Sequence, residues 1–159
     1  MRSTLPRTWT RRSSPSWDGY SGPGRSSRTA SKRCCTSIYI DPADPNRAYL
    51  SYSGYNLTTP ATPGHVFRVD TNAATTATWT DLSTDLADLP ITDLVYDKPT
   101  GDLFASSDFG VLRRAGGTTT WTLAAPGMPN VEVAGLTIVP GEVLYAATHG
   151  RSAWRLKLS

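Results

Sequence analysis

The stretch Asp93-Leu-Val-Tyr-Asp-Lys-Pro-Thr-Gly-Asp-Leu-Phe-Ala-Ser-Ser-Asp-Phe-Gly-Val-Leu-Arg-Arg114 decides the fold class. It holds three short runs of β-branched, aromatic and aliphatic residues, parted by Pro-Thr-Gly and Asp-Phe-Gly turns. None of the runs keeps a helical period, so each reads as a strand. The same order occurs upstream and downstream. First strands with their exit turns are Ser37-Ile-Tyr-Ile-Asp-Pro, the Asp93 run, and Gly135-Leu-Thr-Ile-Val-Pro. Second strands are Ala48-Tyr-Leu-Ser-Tyr, Leu103-Phe-Ala-Ser-Ser and Leu144-Tyr-Ala-Ala-Thr. A glycine follows each (Gly54, Gly110, Gly150), then a third strand: Val66-Phe-Arg-Val, Val111-Leu-Arg-Arg and Ala153-Trp-Arg-Leu. A fourth, Thr78-Trp-Thr-Asp-Leu or Thr120-Trp-Thr-Leu, closes the first two units.

The spacing is regular: Trp79 to Trp121 and Leu94 to Leu136 are each 42 residues, and Phe104 to Tyr145 is 41. Ile38 to Leu94 is 56, lengthened by the loop Tyr55-Asn-Leu-Thr-Thr-Pro-Ala-Thr-Pro-Gly64. Four strands in roughly 40–50 residues is the period of a β-propeller blade. The predicted fold is all-β: a partial β-propeller of about three four-stranded blades, over about 37–90, 91–132 and 133–158, the last incomplete. The last unit stops after its third strand, which fits a ring whose N-terminus supplies the missing outer strand.

The hairpins before the tryptophans, Asp70-Thr-Asn-Ala-Ala-Thr-Thr-Ala-Thr-Trp79 and Ala115-Gly-Gly-Thr-Thr-Thr-Trp121, resemble a decayed Asp-box of the sialidase-type (BNR) repeat. The Thr-Trp end of that motif is kept twice, while its Asp and Gly never stand together: Asp70 lacks the Gly, and Gly116-Gly117 lack the Asp. The run Leu144-Tyr-Ala-Ala-Thr-His-Gly-Arg151, with Trp154-Arg-Leu after it, is similar to the last blade of BNR-like propellers. The likeness covers about 37–158. It implies the C-terminal arc of a longer propeller, since rings of this type usually hold six to eight blades. It also implies a family often secreted, with structural roles for Trp79 and Trp121.

Residues 1–35 have another character. Eight basic residues, eight serines, three prolines and three glycines accompany one acid, Asp18, and one large aliphatic residue, Leu5. Such a segment buries too little surface to offset its ordering entropy, so it reads as a disordered basic tail. A nonspecific phosphate-binding arm is the functional alternative, and a stretch that is not authentic protein is a third reading. The remaining 124 residues carry eight basic and twelve acidic groups, so the body is mildly acidic and nucleic acid is not an expected partner. No apolar run reaches the roughly 20 residues of a membrane span. Arg2 has no apolar h-region behind it, so no signal peptide is read, and the compartment stays open.

Few residues point to chemistry. Asp108-Phe-Gly110 spells the kinase magnesium triplet, but no phosphate-covering loop, strand lysine or catalytic loop accompanies it, so it reads as a turn. His149 and Arg151, in the matching turn of the last unit, are anion-binding candidates or turn scaffolding. Asp108, His149 and Arg151 are the weak binding-site candidates. Asp93, Asp97, Asp102, Glu132 and Glu142 lie near strand ends and read as turn residues or solvated edges. No pair can be matched to the two carboxylates, or the tyrosine–acid pair, of glycoside hydrolysis, and no catalytic residue is assigned. Cys34 and Cys35 are adjacent and far in sequence from His65 and His149, so neither disulfide, metal site nor cofactor is expected. Tyr39, Tyr49, Phe67, Tyr96, Phe104, Tyr145 and Trp154 recur at matching positions and are expected in the core first, as sugar platforms second. The leading expectation is a non-catalytic scaffold binding carbohydrate or another protein. Alternatives are part of an exo-sialidase-like or other propeller glycoside hydrolase, and an arc whose open blade faces self-associate.

Overall fold

The computed structural model describes residues 34–55, 64–72 and 76–158; all of the basic tail except Cys34 and Cys35 lies outside the described residues. Eleven antiparallel strands form three sheets, and the described residues contain no helix. The first sheet holds β1 (Cys35–Ile40), β2 (Arg47–Tyr52), β3 (Val66–Thr71) and β4 (Ala77–Asp81) in chain order. The second repeats this with β5 (Ile91–Asp97), β6 (Asp102–Ser107), β7 (Gly110–Arg114) and β8 (Trp121–Leu123). The third has β9 (Val133–Val139), β10 (Val143–Thr148) and β11 (Ala153–Lys157). The strand runs read from the sequence are all present, and β1 starts two residues before Ser37.

The three sheets are built alike in detail. Each first strand carries one bulge near its start, at Thr36, Thr92 and Ala134. The turns before the third strands place Gly54, Gly110 and Gly150 at φ 91°, 120° and 79°, a region where a Cβ is strained, hence the repeated glycine. β1, β5 and β9 lie side by side, and the sheets pack face to face. Between the first two sheets Tyr49, Val66, Ile91, Leu94, Leu103 and Trp121 form one core. Between the second and third, Val95, Phe104, Val133, Leu136 and Leu144 form another.

Polar groups add direction to these apolar seams. Thr36 Oγ1 donates to the Ile91 carbonyl at 2.7 Å and lies 2.9 Å from Ser51 Oγ. Thr92 repeats this with the Val133 carbonyl and with Ser106 Oγ. A hydroxyl has one proton and a carbonyl only accepts, so each serine donates to its threonine. Asp93 Oδ2 accepts from Leu136 N, and Asp97 Oδ1 from Gly141 N, both at 2.7 Å. Trp121 Nε1 donates to the Leu82 carbonyl at 2.9 Å, and Trp121 N to Asp85 Oδ1 at 3.0 Å.

Two expectations are corrected. Asp97 and Asp102 are not solvated: they are 0% and 4% exposed, because backbone amides and Arg113 supply what water would. Tyr145 and Trp154 are 42% and 36% exposed, because among the described residues no fourth strand flanks β11 and no sheet covers the outer face of the third sheet.

Candidate functional site

In an antiparallel meander the starts of the odd strands and the ends of the even strands share one rim. Here that rim gathers the turns before β3, β7 and β11 and the linkers 82–90 and 124–132. All three candidate residues fall on it.

Asp108 lies in the β6–β7 turn. The buried Ser107 shapes this turn: its hydroxyl donates to the Gly110 carbonyl and accepts from Phe109 N, each at 3.2 Å. That bracing turns Phe109 outward, 57% exposed, beside Asp108. Tyr55, 47% exposed and three residues after β2, points its hydroxyl at Asp108 Oδ2, 3.4 Å away. Two exposed rings thus neighbour one carboxylate, Phe109 as the next residue in the chain and Tyr55 through its hydroxyl.

His149 and Arg151 occupy the next turn along the rim. His149 N donates to the Glu132 carbonyl at 2.9 Å, and its Nδ1 is 3.3 Å from Glu132 Oε2. Thr148 Oγ1 donates to the Ser152 carbonyl, while Trp154 Nε1 donates to the Arg151 carbonyl at 3.1 Å. His149, Arg151 and Glu132 are all exposed. Phe109 and Trp154 line a common groove of about 310 Å³ between the second and third sheets, with Leu123, Ala124, Met128 and Leu156.

His65, given no role by the sequence, is fully buried at the rim. Its Nδ1 is 3.2 Å from the Tyr52 carbonyl and its Nε2 3.3 Å from Asp88 Oδ1. It therefore ties the β2–β3 turn to the linker after β4. Ser83 Oγ, accepting from His65 N at 2.7 Å and Val66 N at 3.0 Å, reinforces the same joint. Cys34 and Cys35 are free and exposed, and burial of its surroundings pushes the Cys35 thiol up, away from thiolate chemistry. Among the described residues no three His, Cys, Asp or Glu side chains are grouped to hold a metal, and no helix is long and apolar enough to cross a membrane.

No family model, curated protein or solved structure matches the chain.

Proposed function

We propose that the chain is an arc of a sialidase-like (BNR) β-propeller, each sheet one blade, and that its rim binds carbohydrate without hydrolysing it. The propeller reading is supported by the side-by-side first strands, the repeated bulge and the repeated Thr–Ser–carbonyl seam. One observation carries the binding reading: Tyr55, its hydroxyl 3.4 Å from Asp108 Oδ2, and Phe109, the next residue along the chain, are both exposed. A sugar ring offers apolar C–H faces to aromatic planes and a belt of hydroxyls to a carboxylate. His149 and Arg151, one turn along, add donors for hydroxyls or for an acidic substituent. The non-catalytic reading draws on the other acids, since Asp93, Asp97 and Asp102 are engaged by backbone amides inside the structure.

The test is retention of the full chain on an array of neutral, uronic and sialylated oligosaccharides, followed by titration calorimetry. Binding to one class is expected, weakened about tenfold by Phe109→Ala, equivalent to about 1.4 kcal/mol, and weakened also by Asp108→Asn. Retention of no glycan overturns the carbohydrate reading, and release of aglycone from aryl glycosides overturns the non-catalytic one. A protein partner would then be the occupant to seek.

A further inference from the structure

The groove between the second and third sheets repeats a site that the first two sheets fill. There the Trp121 ring lies in the core with Leu82, Leu86 and Leu103, and its Nε1 donates to the Leu82 carbonyl at 2.9 Å. A step of 42 residues along the linkers, and of 41 on the second strands, turns Leu82, Leu86 and Leu103 into Ala124, Met128 and Leu144. All three line the groove. The two linkers also leave their sheets in the same way: Ala124 N donates to the Val111 carbonyl as Leu82 N does to the Val66 carbonyl, each at 2.9 Å. The Ala124 carbonyl thus takes the place of the acceptor that receives an indole N–H one sheet earlier.

What this second site drops is the means of holding a strand. Thr84 Oγ1 donates to the Thr119 carbonyl at 2.6 Å, and Asp85 Oδ1 accepts from Trp121 N at 3.0 Å. Two linker side chains therefore fix the backbone that carries the Trp121 ring. Their counterparts are Pro126 and Gly127, which have neither a hydroxyl nor a carboxylate. The walls become more apolar instead: ladder pairing makes Leu156 the counterpart of Arg114, and Trp154 that of Leu112. Phe109, Leu123 and Trp154 line the groove and stay exposed, an apolar patch of the kind that marks a binding surface. Arg155 is the one charged residue among the lining, and alternation along β11 turns its side chain to the face opposite Trp154 and Leu156.

We infer that the groove binds a small, neutral, fused-ring aromatic molecule with one N–H donor, of which indole is the parent, its N–H on the Ala124 carbonyl. The inference rests on the equivalence of the three sheets and not on the carbohydrate reading. An apolar cavity of about 150 Å³ accepts benzene. The groove, at about 310 Å³, has room for a second ring and a small substituent. The Met128 thioether and the Trp154 ring offer polarisable surface to an aromatic face. Walls without a carboxylate, and with Arg155 turned away, would desolvate a charged ligand without pairing it, which selects a neutral one. A site that keeps the ring's acceptor and apolar walls but lacks both hooks for the backbone suits a free ring better than one carried on a strand.

The experiment adds indole to the full chain and reads the NMR shift of the Met128 methyl, which Met128→Leu assigns. A saturable shift with a dissociation constant of roughly 0.1–1 mM is expected for so small a ligand. Benzofuran, of the same shape but without a donor, should bind about tenfold more weakly, a comparison that needs no variant. Indole should also bind more weakly to Trp154→Ala, its fold checked by circular dichroism. Tyr145→Ala, on the opposite face of the third sheet, should leave the affinity unchanged. Absence of a saturable shift overturns the inference, and so does benzofuran binding as tightly as indole. Unchanged affinity in a folded Trp154→Ala variant, or an equal loss in Tyr145→Ala, overturns the location. A capped Thr-Trp-Thr peptide that binds about tenfold more tightly than indole overturns the free-ligand assignment and gives the groove to a strand.

Discussion

Replacing Asp97 by alanine tests the seam between the second and third sheets. The side chain is fully buried; Oδ1 accepts from Gly141 N and Oδ2 from Thr100 Oγ1, both at 2.7 Å. Each bond to a charged acceptor is worth roughly 1.5–3 kcal/mol, and truncation leaves both donors without that acceptor. Against this, alanine relieves the cost of burying a carboxylate directly across the ladder from a second one, Asp102. We expect a net loss of about 3 kcal/mol, more than a hundredfold in the unfolding constant and a large share of the 5–15 kcal/mol typical of a domain. Asp97→Asn keeps an oxygen for Gly141 N and turns an amide toward Thr100 Oγ1, so it should cost about 1 kcal/mol. Urea unfolding followed by tryptophan fluorescence gives both values, and exchange at the Gly141 amide localises the change. An alanine variant within about 1 kcal/mol of the parent, or one no worse than the asparagine variant, would refute the bridging role.

Two further outcomes follow from single side chains. Trp121→Phe removes the donor to the Leu82 carbonyl and part of a buried ring, and should destabilise by roughly 2–3 kcal/mol in the same urea assay. Tyr49, stacked on Tyr96 at 5.1 Å, has its phenol pushed up to about 12 by burial first and the neighbouring Tyr96 second. Its folded pKa lies above the unfolded one, so its contribution is complete below about pH 10 and disappears as pH rises through about 12. Alkaline unfolding should therefore be shallower across pH 10–12 in Tyr49→Phe, as read by circular dichroism at each pH.

The strands were legible because alternation is a local property: each side of a pleat sees one environment, and the residues declare it. The three-sheet division was legible because spacing near 42 residues recurs through Trp121, Leu136 and Tyr145. What faces what was less so. Asp97-Lys-Pro reads as an exit turn, and it is one; the amide that buries its carboxylate comes from Gly141, 44 residues on. Tyr145 repeats Phe104 in sequence but not in burial, since burial depends on a neighbouring sheet that no period encodes. The pairing of Tyr55 with Asp108 spans 53 residues and leaves no local mark. Only the shared turn position of Gly54 and Gly110 hints at it. One signal was present and passed over: Thr36 with Ser51 and Thr92 with Ser106 are offset like the strands that carry them.

The same comparison separates structural acids from candidate functional ones. On the faces turned to a following sheet, Thr36 and Thr92 have Ala134 as their counterpart, Asp93 has Gly135, and Asp41 and Asp97 have Val139. A polar group inside a seam is stable only with a backbone partner opposite it, and the third sheet's outer face meets no described sheet. Its polar positions are accordingly small or apolar, while Val139 and Tyr145 stay more than 40% exposed. That face presents apolar area together with Arg155, which pairs with Tyr145, and Lys157. The rim obeys a different rule. Asp108, Glu132, His149 and Arg151 sit on turns braced by Ser107, Thr148 and the linkers, and the partners of their side chains lie at the surface: the Tyr55 hydroxyl for Asp108, and His149 and Glu132 for each other. Polar groups held on braced turns beside exposed rings, with partners only at the surface, are the kind a rigid scaffold presents to a ligand.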